Sequence, residues 1–152
     1  MNIVFTPSQF KKEHVYFTDS IENTVMEDSK FIKILYSNND VVCNGVFIEV
    51  SFKITHKENY FKKIKYSFDI TLNDKMIQTI YQIENDILNH YNSKKQKKYI
   101  IRDSISNGNI KIFPNSVADG DYSTNSGKFI LKISGIWENN NEYGVTYKIT
   151  SV

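Results

Sequence analysis

Residues 127–150, GKFILKISGIWENNNEYGVTYKIT, decide the fold class of this chain. Apolar positions recur at every second residue in two runs, and a period of two places them on one face of a strand. These positions are Phe129, Leu131, Ile133, Gly135 and Trp137 in the first run, and Tyr143, Val145, Tyr147 and Ile149 in the second. Three asparagines at 139–141 tolerate turn conformations between the runs. The segment therefore predicts a β-hairpin, with Trp137 on its core-facing side near the bend.

The composition indicates one folded domain in a reducing compartment. A chain of 152 residues with 10 Phe and 10 Tyr can bury a core without a metal or a disulfide. Cys43 is the only cysteine, which excludes an intrachain disulfide framework and a four-cysteine zinc site. The N-terminus lacks a signal-peptide pattern and no apolar run is long enough to span a bilayer. We therefore expect a soluble, intracellular protein with no membrane partner.

Further alternating runs predict strands on both sides of one helix. The predicted strands are residues 31–36, 41–43, 46–55, 63–71 and 109–113, with a polar loop at 56–59. Between the last two, Met76, Ile80, Ile83 and Ile87 follow one another at spacings of four, three and four, which is the apolar stripe of an amphipathic helix. Residues 15–17 are a candidate for a further short strand within residues 1–30, which we expect to form a partly ordered N-terminal arm.

Antiparallel strands, a helix and a terminal hairpin match the element order of an OB-like barrel, which is three strands, a helix and two strands. We predict a mainly β fold with one central α-helix, arranged as an antiparallel OB-like barrel over residues 31–152. A β-sandwich with one packed helix fits the same pattern and is the alternative fold.

Lysines and aromatic rings occupy the predicted outward strand faces and nearby loops. Lysine neutralises phosphate, and aromatic rings stack on bases without requiring a particular sequence. The candidate nucleic-acid-binding residues are Lys53, Lys63, Lys65, Lys128, Lys132, Lys148, Phe47, Tyr60, Phe61 and Tyr122. The lysines at 94–98 add charge in the loop after the helix. A solvated sheet face whose lysines discourage edge pairing explains the same pattern about equally well, and the net charge of +2 gives no global basic excess.

No catalytic or metal-binding pattern emerges from the sequence. His14, His56 and His90 are scattered, and none has a second ligand at helical or strand spacing. The loop that begins at Asp119 alternates oxygen-bearing side chains, but it has Ile130 where a calcium loop needs a bidentate Glu. The 6 glycines stand apart, so no phosphate-binding glycine loop is present. We expect no enzyme activity, no metal and no cofactor.

Three segments, 107–113 (NGNIKIF), 129–138 (FILKISGIWE) and 143–148 (YGVTYK), resemble a pattern in short proteins of eukaryotic DNA viruses and virus-like mobile elements. The resemblance covers about the last third of the chain and the helix before it. It implies OB-like binding of single-stranded DNA and carries no binding residue across to this chain.

The leading hypothesis is a non-enzymatic protein that binds single-stranded DNA, or RNA, in the replication, repair or recombination of a viral or mobile genome. Its location would be the nucleus or cytoplasm of an infected host cell, and formation of a homo-oligomer is compatible with this role. The alternative is a viral structural or protein-interaction β module that self-assembles, with the first thirty residues as an exchanged arm.

Overall fold

Strands and one long helix form the regular structure of the computed structural model, which describes residues 3–22, 28–113 and 127–152. The strands are β1 (Val15–Phe17), β2 (Ile21–Glu22), β3 (Lys30–Ser37), β4 (Val42–Cys43), β5 (Val46–Ser51), β6 (Ile54–Tyr60), β7 (Lys63–Phe68), β8 (Gln96–Lys97), β9 (Asn109–Ile112), β10 (Lys128–Glu138) and β11 (Glu142–Ser151). The helices are α1 (Asp74–Tyr91) and α2 (Ile100–Ile105), and short 3₁₀ turns occupy Pro7–Gln9 and Lys12–His14. The predicted mainly β class with one main helix is confirmed.

The strands form two sheets that curl into a half-barrel. The large sheet has the order β1-β3-β10-β11-β8, with β5 also paired to β10 and with β2 and β4 paired to β3. The small sheet has the order β6-β7-β9. All pairs are antiparallel except β8 with β11. Only Phe52 and Lys53 separate β5 from β6, and β9 lies beside β11, so the two sheets adjoin at both of these places.

The predicted terminal hairpin is present as β10 and β11, but a β-bulge changes which side chains face the core. The register moves from Ile133 opposite Tyr147 to Gly135 opposite Thr146, which leaves Ser134 as an extra residue. An extra residue reverses the alternation beyond it. Ile136 therefore faces the core with Val145, and Trp137 lies on the other face, packed over Gly144. The prediction that Trp137 faces the core is wrong, although its side chain is only 7% exposed.

The bulge also marks the point at which β10 changes partner. Before it, Lys128 to Ile133 pair with β5; after it, Gly135 to Glu138 pair with β3. The opposite edge of β10 pairs with β11 along the whole length. Greater local twist at a bulge accommodates such a change of direction.

Helix α1 closes the concave side of the half-barrel with its apolar stripe. Ile77, Ile80, Ile83, Ile87 and Leu88 are buried and belong to one core with the inward side chains of both sheets. The Tyr143 hydroxyl donates to the Leu88 carbonyl oxygen at 3.2 Å, which ties β11 to α1. None of the helices that the structure describes is both long and apolar enough to cross a membrane.

The short helix α2 begins at a buried carboxylate. Glu84 of α1 is fully buried and accepts the backbone N–H groups of Ile101 at 2.9 Å and Arg102 at 3.1 Å. These donors would otherwise lack partners in the first turn of a helix. The Arg102 guanidinium lies over the rings of Tyr81 and Tyr99, 4.9 Å and 4.7 Å from their centroids.

The described part of the first thirty residues packs on the half-barrel. Phe5 exchanges backbone hydrogen bonds with β5, since its N–H donates to Phe47 and its carbonyl accepts from Glu49. The strand expected at residues 15–17 is present as β1, with Val15 buried and paired to Tyr36 of β3. The boundary between an arm and a barrel domain at residue 30 stays a prediction.

Candidate nucleic-acid interface

The outward face of the small sheet brings lysines and rings together. Strands β7 and β9 turn Ile64, Phe68, Ile110 and Ile112 inward, where all four are buried. Since side chains alternate across a strand, the residues between them point outward. We call the outward set the lysine–aromatic face: Tyr60 of β6, Phe61 of the β6–β7 turn, Lys63 and Lys65 of β7, Lys111 of β9 and Phe113 just after it.

Two contacts between ammonium groups and rings hold this face together. The Lys63 Nζ lies 4.8 Å from the centroid of the Phe113 ring, and the Lys111 Nζ lies 4.3 Å from that of Tyr60. A cation at this distance from a ring face is attracted by the ring quadrupole. The lysines are therefore positioned beside the rings and do not extend freely into solvent.

The three rings remain open to a ligand. Tyr60 is 39% exposed, Phe113 is 58% exposed and Phe61 is 92% exposed. Tyr60 and Phe61 meet edge to face, with centroids 4.9 Å apart. Phe61 has a φ of 55°, a left-handed conformation that is unfavourable for a bulky residue. The turn thus holds a large apolar ring in solvent at the cost of backbone strain.

Charge on this face is predominantly positive. Lys63 and Lys111 have no carboxylate within 4.0 Å among the described residues. Lys65 does have one, because its Nζ lies 3.6 Å from Glu58 Oε1. His56 approaches the other oxygen of Glu58 at 3.7 Å. Exposed ion pairs of this kind contribute little and exchange readily.

The predicted lysines of the large sheet lie on a second surface. Lys128, Lys132 and Lys148 are on the outward face of β10 and β11, where Lys132 pairs directly with Lys148. Lys128 is 4.0 Å from Glu49. Phe47 is only 8% exposed, and the Lys132 Nζ lies 5.3 Å from its ring centroid. The expected exposed ring at Phe47 is therefore not available for stacking.

The remaining predicted residues lie elsewhere. Lys53 is in the link between β5 and β6, beside the start of α1, where its backbone N–H donates to Asn73 Oδ1 at 2.7 Å. Tyr122 falls outside the described residues. In the loop at 94–98, Lys95 and Lys98 each lie 3.9 Å from a carboxylate, of Glu138 and Glu142 respectively. This loop is therefore partly neutralised and does not extend either lysine surface.

A groove joins the two surfaces. It has a volume of about 270 Å³ and lies where β9 runs beside β11. Lys111 and Phe113 line it from β9, and Lys148 lines it from β11. We call this groove the seam.

Sequence reasoning missed Lys111 and Phe113. The strand at 109–113 was predicted, but its pairing with β7 spans some forty residues that include α1 and α2, and no local pattern reports it. The available signal was the alternation of Ile110 and Ile112 with Lys111 and Phe113.

The described residues contain no group of three or more His, Cys, Asp or Glu that could hold a metal ion. His90 contacts the Val15 carbonyl oxygen at 3.0 Å, and Cys43 is buried. Burial raises the pKa of Glu84, Tyr91 and Tyr143, and all three take part in hydrogen bonds within the fold. These shifts therefore accompany structural contacts and not the lysine–aromatic face.

Comparisons with protein-family models, with curated proteins and with solved structures found no match. The assignment of the lysine–aromatic face therefore depends on its own geometry.

Proposed function

We propose that the protein binds single-stranded DNA, without catalysis, through the lysine–aromatic face. The observation that carries the proposal is the contact of Lys63 and Lys111, which have no described carboxylate partner, with the exposed rings of Phe113 and Tyr60. Ammonium groups neutralise phosphates, and stacking on a ring contributes roughly 1–3 kcal/mol per base. Three rings on one face are enough to hold two or three bases.

The strand order supports an OB-like barrel as the framework for this activity. We take β5 and β6 together as one bent first strand, β7 as the second strand, β9 as the third, β10 as the fourth and β11 as the fifth. Neighbouring strands then follow the order first, second, third, fifth, fourth and back to the first. In OB folds the face of the second and third strands and the loop between the first and second bind oligonucleotides. If the half-barrel is an OB fold, the lysine–aromatic face corresponds to those positions, which supports the proposal. The helix departs from the predicted order, since α1 precedes the third barrel strand.

The resemblance to short proteins of eukaryotic DNA viruses and virus-like mobile elements supports a role in replication, repair or recombination of such a genome. We propose this setting, in the nucleus or cytoplasm of an infected cell, together with the binding activity.

Fluorescence anisotropy with a labelled oligothymidylate at several salt concentrations tests the activity. The variant Lys63→Gln/Lys111→Gln should weaken binding and reduce the salt slope by about 0.7 for each phosphate that the variant no longer neutralises. Lys75→Gln is the control, because Lys75 is exposed in the first turn of α1, which contributes no residue to the lysine–aromatic face. Absence of binding by the wild-type protein at low salt would overturn the proposal.

A second candidate function is self-assembly. It is favoured by exposed apolar side chains on the strands that pair with β3 in the large sheet. Tyr16, Ile21 and Val42 are each more than half exposed and lie on β1, β2 and β4. Light scattering after size exclusion tests this candidate: a large closed oligomer without affinity for DNA favours it over the first.

A further inference from the structure

Lys132 and Lys148 form a like-charge pair in the large sheet. They are direct cross-strand partners in the register of β10 and β11, so their side chains leave the same face of the sheet side by side. Like charges that are directly opposite each other destabilise a sheet. No carboxylate of the described residues lies within 4.0 Å of either ammonium group. The pair therefore holds two positive charges together, with no counter-charge close by in the part of the chain that the structure describes.

One neighbouring ring contacts Lys132, and no carboxylate of the described residues neutralises either lysine. Lys132 is positioned by Phe47, its partner in β5, whose ring lies 5.3 Å from the ammonium. The one carboxylate of β5 belongs to Glu49, which is two residues further along the strand and is 4.0 Å from Lys128. An anion with charge spread over several oxygens would relieve the repulsion between the two lysines.

The seam connects this pair to the lysine–aromatic face. Lys148 lines the seam from one side, and Lys111 and Phe113 line it from the other. Lys63 and Lys65 are on β7, and Lys132 is on β10, three strands away across β9 and β11. The steps from β7 to β9 and from β11 to β10 are hydrogen-bonded pairings of about 4.8 Å each, and the step between them crosses the unpaired seam, so the distance across the surface exceeds about 10 Å. A single extended strand of nucleic acid can cover it.

We propose that Lys132 and Lys148 form a second phosphate subsite for the strand that binds the lysine–aromatic face, and that the strand reaches it by crossing the seam. This inference rests on the proposed function. It specifies the path of the bound nucleic acid across the protein, and it requires a nucleic acid long enough to follow that path. The strand crosses the β-strands of the half-barrel from β7 towards β10.

Length-dependent binding tests the subsite. Anisotropy titrations use labelled oligothymidylates of about four and about twelve nucleotides, within the range that OB-type modules cover. For Lys132→Gln/Lys148→Gln we expect unchanged affinity for the short probe. For the long probe we expect a roughly tenfold loss near 0.1 M salt and a salt slope smaller by about 1.4, which corresponds to two phosphates. Lys75→Gln is the control at both lengths.

A second measurement separates binding from folding. Removal of the like-charge repulsion should leave the Tm of the double variant equal to or above that of the wild-type protein without DNA. Equal effects on both probes, or no effect on the long probe while Lys63→Gln/Lys111→Gln still weakens binding, would overturn the subsite and leave the proposed function intact. Wild-type protein that binds neither probe at low salt would overturn both.

Discussion

The Lys111 ammonium lies 4.3 Å from the centroid of the Tyr60 ring, although β7 separates the strands that carry them. Lys111 is paired with Lys65, and Tyr60 is paired with Lys63, so the contact runs diagonally above β7. The two edge strands of the small sheet are thus joined on their outward side. This arrangement fixes a ring and a charge side by side before any ligand arrives, which lowers the ordering cost of binding.

We expect Phe61→Gly and Phe61→Ala to weaken oligothymidylate binding equally, by roughly 1–3 kcal/mol, because both remove one stacking ring. Their stabilities should differ. Glycine adopts the positive φ of this position freely and alanine does not, so the glycine variant should be more stable than the alanine variant by about 0.5–1 kcal/mol.

Urea unfolding gives the stabilities, and anisotropy gives the affinities. Tyr16→Ala is the control for loss of an exposed ring, because Tyr16 lies on β1 at the edge of the large sheet. If Phe61→Ala binds as well as the wild-type protein, the ring has no part in the interface.

Because of Glu84, the free energy of unfolding should fall as pH rises above the ordinary pKa of a glutamate side chain. Burial raises the pKa of Glu84 from its ordinary value near 4.5, so the folded state holds this proton more tightly than the unfolded state. The stabilisation from the protonated group is present below that value and is lost as pH rises through the raised pKa. In Glu84→Gln this dependence is absent.

The difference in unfolding free energy between wild type and Glu84→Gln, measured from about pH 4 to pH 7, isolates this group from the other carboxylates. We expect the wild-type protein to lose stability relative to Glu84→Gln as pH increases. Parallel profiles would contradict the assignment. Glu84→Ala should cost about 2–5 kcal/mol near pH 4 and less as pH rises, because the N–H groups of Ile101 and Arg102 lose their acceptor.

Gly135→Ala should destabilise the fold by about 1–3 kcal/mol through overpacking. A Cβ at this position would lie 2.5 Å from Cζ of Phe31 and 2.6 Å from the Ile32 carbonyl oxygen. The double variant Gly135→Ala/Phe31→Leu should recover part of the loss, because only the clash with the ring is relieved. Urea unfolding of the four proteins in this cycle measures the coupling, and strict additivity would show that the ring is not the obstacle.

Tyr143→Phe should cost about 0.5–1.5 kcal/mol, because it removes one hydrogen bond and leaves the ring in place. The Leu88 carbonyl oxygen that loses this donor still accepts the Asn92 N–H at 3.0 Å, so no acceptor is left without a partner. Chemical unfolding gives the value. A loss above about 3 kcal/mol would indicate that the hydroxyl supports more than this bond.

The strong periodic patterns predicted most of the main elements, but β6 was interpreted as a polar loop at residues 56–59, because that stretch has no apolar alternation. The core positions of β5, β7, β11 and α1 follow from alternation or from helical spacing. The bulge was not predictable in the same way, because Ile136 is as apolar as Ile133 and Trp137, so both phases of the alternation offer an apolar side chain at this point. Trp137 was therefore assigned to the wrong face. Helix α2 has only six residues, too few to form alone, and it depends on Glu84 from a distant part of the chain.

The candidate site was predictable only where its residues are close in sequence. Tyr60, Phe61, Lys63 and Lys65 belong to one hairpin, and the turn between two alternating runs brings them together. Lys111 and Phe113 join them through a pairing between distant segments, which composition does not report. The same limit applies to Lys132 and Lys148, whose separation from Lys63 depends on how the two sheets adjoin.

The extra residue at Ser134 has a consequence for the tolerance of the chain to deletion. Without it, Ile133 and Gly135 would be adjacent opposite Tyr147 and Thr146, so Ile136 would still face the core with Val145 and Trp137 would keep its place over Gly144. However, the bend that lets this strand leave β5 and join β3 would be lost. Deletion of this serine would thus break the pairing of β10 with either β5 or β3. Replacement of the serine by another small residue would preserve both pairings.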